Sequence, residues 1–192
     1  MREIGTVVRL QVQRDSLKRG EKPHRVYDPA PLLTVPRLAV SADGVLGAGP
    51  EGAWIVDVHH RDHPHTKNED GLHGVSLGFT SHYQAMRERF GPRVEDGCAG
   101  ENILAETHGR LTLEDLRNGV GVMGPDGTAH VRLRVLQVAH PCRPFTGWAA
   151  GGLVEADVLK SHLQFLDDGM RGYYLQCEGS GIVELGQRVV AL

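Results

Sequence analysis

The chain has 192 residues, 40% of them apolar and 23% charged, with a formal net charge of −3 and a pI near 6.4. That length fits one ordinary domain with a sizeable core; the composition excludes a disordered or fibrous chain, and the slight acidity argues against a broad nucleic-acid or membrane-surface footprint. No apolar run approaches the roughly 20 residues of a membrane span, and Met1–Gln13 lacks the basic segment and apolar block of a signal peptide, so a cytoplasmic protein with neither nucleic acid nor membrane as partner is expected.

Ile4, Thr6, Val8, Leu10 and Val12 alternate with polar neighbours, the period of a half-buried strand. Lys18–Pro50 is rich in proline, glycine and charge, and proline biases its preceding residue away from helix, so only short extended pieces are expected there. Trp54–Val58 is a short apolar run read as a buried strand. His59–Gly74 is a polar loop with five of the chain's 11 histidines: His59, His60, His63, His65 and His73. Thr80 or Ser81 can cap a helix over His82–Phe90, whose Tyr83, Met86 and Phe90 share one face before Gly91-Pro92 stops it. Asn102–Glu106 reads as a strand, and Thr112 with Asp115 as the capped start of a short turn. In Ala129–Ala139 the apolar face switches from Val131, Leu133 and Val135 to Leu136 and Val138, which predicts a bulge. Leu159, Leu163 and Leu166 share a helix face, and Tyr173–Cys177, Gly181–Glu184 and Arg188–Leu192 read as strands between glycine turns. Many short strands with two or three helices predict a mainly β, barrel-like single domain over residues 1–192.

Three segments have the makings of a site. Gly97-Cys98-Ala99-Gly100-Glu101-Asn102-Ile103 is a glycine turn ahead of a strand, able to aim N–H groups at an anionic or carbonyl-rich ligand, with Glu101 and Asn102 next to it; a tight turn whose side chains satisfy local backbone reads equally from the residues. In His140-Pro141-Cys142-Arg143-Pro144-Phe145, two prolines stiffen the chain around one cysteine, and His140 and Arg143 favour its thiolate, a nucleophile and soft metal ligand. Cys98 and Cys177 lack such flanks and read as structural; with an odd cysteine count, all three thiols are expected reduced. Gly169-Met170-Arg171-Gly172 sets a guanidinium between glycines, suited to phosphate or carboxylate. The clustered imidazoles are a possible zinc site without a standard spacing. A dinucleotide fingerprint, a phosphate-binding P-loop and a nucleophile elbow are absent.

Gly100-Glu101-Asn102-Ile103, followed some 40 positions later by Pro141-Cys142, with His82-Tyr83 upstream and Gly186-Gln187-Arg188-Val189 in the closing strand, resembles the MOSC family, named for the C-terminal domain of molybdenum cofactor sulfurases. The resemblance runs from about Gly5 to Leu192. The order His-Pro-Cys-Arg departs from the Arg-x-Pro-Cys of many stand-alone members, and the family's His-Gly-Gly-x-x-Lys-Ala has no clean counterpart, with His65 and Lys67 lying nearest.

The resemblance implies a closed, mostly β barrel of the MOSC type with a few short peripheral helices. It implies that Cys142 is the family's cysteine, which ligates the molybdenum of a pterin cofactor (molybdopterin) in some relatives and carries or receives sulfur in others. It further implies reduction of N-hydroxylated small molecules such as amidoximes, with electrons from a partner reductase. On this reading Cys142 is the metal ligand and His140 passes a proton; Gly100, Glu101 and Asn102 border the cofactor, and Arg143, Arg171 and Lys67 offset its phosphate. A homodimer is a possible assembly, and pyridoxal phosphate is not expected on this domain. The competing readings are a persulfide or cofactor carrier without catalysis, and a zinc hydrolase built on the His59–His73 loop, dependent on His63 and His65.

Overall fold

Residues 1–192 are described by a computed structural model. In chain order its strands are β1 (Arg2–Gln13), β2 (Lys18–Arg19), β3 (Val26–Tyr27), β4 (Leu32–Thr34), β5 (Arg37–Ser41), β6 (Gly44–Ala48), β7 (Trp54–Val56), β8 (Val75–Phe79), β9 (Ile103–Glu106), β10 (Val120–Met123), β11 (Ala129–Val138), β12 (Tyr173–Cys177), β13 (Ser180–Glu184) and β14 (Arg188–Ala191); its helices are α1 (Thr80–Phe90), α2 (Arg143–Ala149) and α3 (Ala156–Leu166). The strands β14-β10-β11-β12-β8-β9-β1 follow one another around a sheet that β1 closes by pairing back onto β14. The result is the expected closed barrel, with a second sheet, β13-β5-β6-β7, packed beside it. Every pairing in the barrel is antiparallel except β8 with β9, which are parallel and joined over α1. No helix is long and apolar enough to cross a membrane.

Strand β1 is long enough to serve three partners, β14, β9 and β4, and it does so by breaking its own alternation. Register shifts between Glu3 and Gly5 and between Val7 and Arg9 re-phase the strand. As a result Ile4, Val7, Leu10 and Val12 enter the core, while Val8, expected on the buried face, is 43% exposed. The bulge expected in β11 lies between Val135 and Gln137, opposite β12. The interior holds Leu10, Leu77, Phe79, Ile103, Leu133 and Tyr173; a second apolar cluster, with Tyr27, Tyr83, Met86, Phe145 and Leu166, packs the helices and the β2–β3 hairpin onto the outside.

Two local expectations are corrected. Neither Thr80 nor Ser81 caps α1: the N-cap is Phe79. Their hydroxyls instead tie the helix start to the chain beyond β9: Thr80 Oγ1 accepts from the Thr107 N–H at 3.0 Å, and Ser81 Oγ donates to the Gly109 carbonyl at 2.8 Å. Residues 143–149, read as a proline-stiffened extension, form α2, with Pro144 in the first turn, where a missing N–H costs nothing. Thr112 and Asp115 do exchange the expected capping hydrogen bonds.

His82 anchors α1 to the rest. Its Nδ1 faces the Gly169 carbonyl at 3.1 Å and its Nε2 accepts from the Leu111 N–H at 3.0 Å, so the ring is neutral and both nitrogens are used. Burial lowers its pKa from 6.5 to about 4. A folded-state pKa below the unfolded one means that the unfolded chain takes up the proton first, so stability present above pH 6.5 is lost as the pH falls toward 4. Urea unfolding at pH 5 is expected to give a stability roughly 2 kcal/mol below that at pH 7, and the difference should shrink markedly in His82→Gln.

Candidate functional site

The glycine turn and the residue directly before the strand that follows are held by a buried polar node. Asn102, 1% exposed, accepts on Oδ1 from the Ser76 N–H and hydroxyl, at 3.1 and 2.9 Å, and donates from Nδ2 to the Gln11 carbonyl and to Asp57 Oδ2, at 3.3 and 2.9 Å. Asp57, fully buried, also accepts the N–H groups of Gln13 and His59, and His59 Nδ1 lies 3.0 Å from its Oδ1. Gln11 and Gln13 reach across from β1 to the carbonyls of Gly97 and Gly100. Gly100 has φ +100°, and a Cβ there would stand 2.7 Å from Leu17 and 2.8 Å from Gln13, so this position admits only glycine. Asn102, expected beside a cofactor, is therefore engaged by protein on both ends of its amide and shapes the bend.

Glu101 turns the other way. It is 4% exposed; its Oε2 accepts from the Tyr83 hydroxyl at 2.6 Å, while Oε1 has no partner. The same hydroxyl accepts from the Ala99 N–H at 2.9 Å. The carboxyl lies over Gly78, where a Cβ would come within 2.9 Å of it. Burial raises its pKa, against the hydrogen bond from Tyr83 and the field of Arg171.

Arg171 joins the bend to the cysteine. Its Nη2 donates to the Ala99 carbonyl at 3.1 Å, its Nη1 points at Cys142 Sγ at 4.0 Å, and its guanidinium carbon stacks 4.1 Å from the centre of the Phe145 ring. Its Nε is buried and unpartnered. Burial works against the charge, but the facing Tyr27, Cys142, Tyr174 and Glu101 outweigh it and hold the group charged. Cys142 itself is half-buried at the N-cap of α2. Tyr27 donates to the Cys98 carbonyl at 2.6 Å, and Tyr174 packs against the rings of His73 and His59. Burial pushes the Tyr174 hydroxyl pKa up.

Glu101, Gly100, Arg171 and Cys142 are thus brought together at one end of the barrel. The others are not. His140 is exposed, its Nδ1 3.1 Å from Asp167 Oδ1. Arg143 is exposed and lines a cleft that does not include Cys142. Lys67 is exposed at the rim, where partial desolvation and then the neighbouring Lys18 lower its pKa. No three of the histidines converge with acids or thiols as metal ligands. Asp57 holds His59, the Arg14 carbonyl holds His63, and Gln137 and Asp70 hold His73, which removes the geometric basis of a zinc site in this loop. Asp57, Tyr27, Tyr174 and Gly78 complete the surroundings and were not singled out from sequence; Tyr83 was, as part of the His82-Tyr83 pair, but not as the partner of Glu101.

A family model described as "MOSC domain" matches residues 65–190, which takes in the bend, Cys142 and Arg171. The chain belongs to the MOSC family. The MOSC architecture recurs in solved structures: the YuaD protein from Bacillus subtilis, at 13% identity and TM-score 0.57, with 98% of this chain and 94% of that one covered, and YiiM from Escherichia coli, at 15% identity and TM-score 0.51, with 83% and 64% covered. These likenesses are of fold. No curated protein matches the chain.

Two measurements check this arrangement. Iodoacetamide is expected to alkylate one thiol of the native protein, and none in Cys142→Ala, because Cys98 and Cys177 are buried and burial pushes both thiol pKa values up. Asn102→Ala leaves Asp57 and Ser76 with unmatched buried groups and is expected to lower unfolding stability by about 3 kcal/mol, read by denaturant titration.

Proposed function

We propose that this MOSC protein is a molybdenum-cofactor-dependent reductase of N-hydroxylated small molecules, with Cys142 as the metal's protein ligand. The observation that carries the reading is the half-buried thiol 4.0 Å from the half-buried Arg171 guanidinium, together with two buried polar atoms, Arg171 Nε and Glu101 Oε1, that nothing in the chain satisfies. Such orphans in a native fold mark where an external group completes the hydrogen bonding.

These residues fit the cofactor that the family implies. A thiolate is a soft ligand suited to molybdenum, the Arg171 charge complements an anionic pterin group, and at the rim Lys67, with Lys18 in its surroundings, suits a phosphate. What the cofactor supplies when bound is two-electron removal of oxygen from an N–OH group, re-supplied with electrons by a partner reductase. The chain supplies the rest. Arg171 holds its charge in fixed position, clamped by the Ala99 carbonyl and the Phe145 ring. Conversion of N–OH to N–H with release of water consumes two protons. The proton-holding atom is Glu101 Oε1: burial favours the neutral carboxyl, and Tyr83 occupies Oε2. The proton role expected of His140 moves to Glu101 in this reading, since His140 faces Asp167 on the surface.

The test is expression in a host that makes molybdenum cofactor, followed by metal and pterin quantification and an amidoxime-reduction assay. Wild type is expected to carry molybdenum and pterin in equal amounts, and Cys142→Ala to lose both by at least about tenfold, together with the activity. A persulfide on Cys142 without molybdenum or pterin would overturn the proposal in favour of a sulfur carrier, and full reductase activity in Cys142→Ala would overturn the assignment of the ligand.

A further inference from the structure

A second concavity of about 510 Å³ opens between the β2–β3 hairpin, α2 and the connection from α2 to α3. Cys142 does not line it. Its wall carries Arg25, Arg93 and Arg143 and no carboxylate, in a chain whose net charge is negative. The three guanidinium groups are largely uncommitted. Arg25 donates only from Nε, to the Gly20 carbonyl at 3.3 Å, and Arg93 only from Nη1, to the Trp148 carbonyl at 3.2 Å, while Arg143 has neither an ion pair nor a hydrogen bond within the chain. Three like charges facing one cavity repel one another unless an anion lies between them.

The floor of the same cleft is aromatic. Trp148 is half-buried, and Tyr27 stands against it with ring centres 5.4 Å apart, each also packed on Phe145. The indole is thereby held in place by its neighbours and lines the cavity, so the ordering cost of stacking a ligand on it is already met by the fold. Leu153, wholly exposed at 107%, overhangs the edge.

We propose that this cleft is a binding site for a small planar aromatic ligand that carries a phosphate, with the ring on Trp148 and the anion between Arg143, Arg25 and Arg93. Bidentate guanidinium–phosphate geometry supplies the orientation, and stacking on the indole supplies an affinity for the ring that is independent of its substituents. The inference does not rest on the proposed reductase activity: Tyr27 and the Phe145 ring back both sites, but neither Cys142 nor Arg171 lines the cleft.

Adenosine 5′-monophosphate serves as the probe, titrated into Trp54→Phe protein so that Trp148 is the one remaining tryptophan. Saturable quenching of its fluorescence is expected, weakening as salt rises, with adenosine and inorganic phosphate each binding at least tenfold more weakly. Arg143→Ala, at an exposed position where the fold is unaffected, is expected to weaken the nucleotide at least tenfold with no change in melting temperature. Equal binding of adenosine and the nucleotide would overturn the role of the arginines; equal binding of inorganic phosphate would overturn that of the indole. Absence of saturation at millimolar nucleotide, or unchanged affinity in Arg143→Ala, would overturn the site as a whole. The titration reads the cleft whether or not Cys142 holds a metal.

Discussion

The contact between the Asn102 amide and the Asp57 carboxyl is the constraint on which the rest of the site depends. Asn102 directly precedes β9, Asp57 follows β7, Gln11 and Gln13 belong to β1, and Ser76 to β8. Four chain regions far apart in sequence are fixed to one another through buried hydrogen bonds, in surroundings where each lost bond exposes its partner to the full desolvation cost. The bend from Gly97 to Glu101 inherits its position from this node. The Ala99 carbonyl that orients Arg171, and the Glu101 carboxyl beside Gly78, are consequences of it.

Arg171 then converts position into electrostatics. Its stem and head are enclosed, yet its charge is retained, because the groups around it favour a cation and the Phe145 ring offers a negative face. A lysine at this place would lose the planar fork that reaches the Ala99 carbonyl and the sulfur together. The site is thus a fixed positive charge, a reachable thiol and a carboxyl whose pKa burial raises, arranged at one end of the barrel. A fixed charge suits a protein whose part is to hold and orient a reactive group.

How far the sequence discloses this depends on whether a feature leaves a local signature. The bulge in β11 is legible because the apolar period inverts across Leu136. Those in β1 are concealed, because Val8 keeps the alternation intact while the pairing shifts beneath it. The bend and Arg171 stand out through their glycines. The barrel-like class is legible in the many short strands, and Cys142 stands out through its flanking prolines, His140 and Arg143; the closure of the barrel and the match of Cys142 to the family's cysteine follow from the order of short motifs. Helix α2 is hidden because proline marks both helix starts and extended chain, and seven residues carry too little pattern to decide. Asp57 looks like one more acid at the mouth of a polar loop; nothing nearby in sequence reveals that it is fully buried. Tyr27 and Tyr174 meet around Arg171 only after folding, so no spacing announces them.

Closure of the barrel rests on β1 meeting β14, with Arg2 opposite Ala191. The cylinder therefore cannot be completed until β14 is in place, and β1 must remain beside an unfilled edge until then. The pairing within the β5–β6 hairpin, by contrast, is local, the kind of contact that costs least to order. The β1–β14 seam joins the strands most distant in sequence and so carries the largest loop-closure cost of any pairing in the barrel.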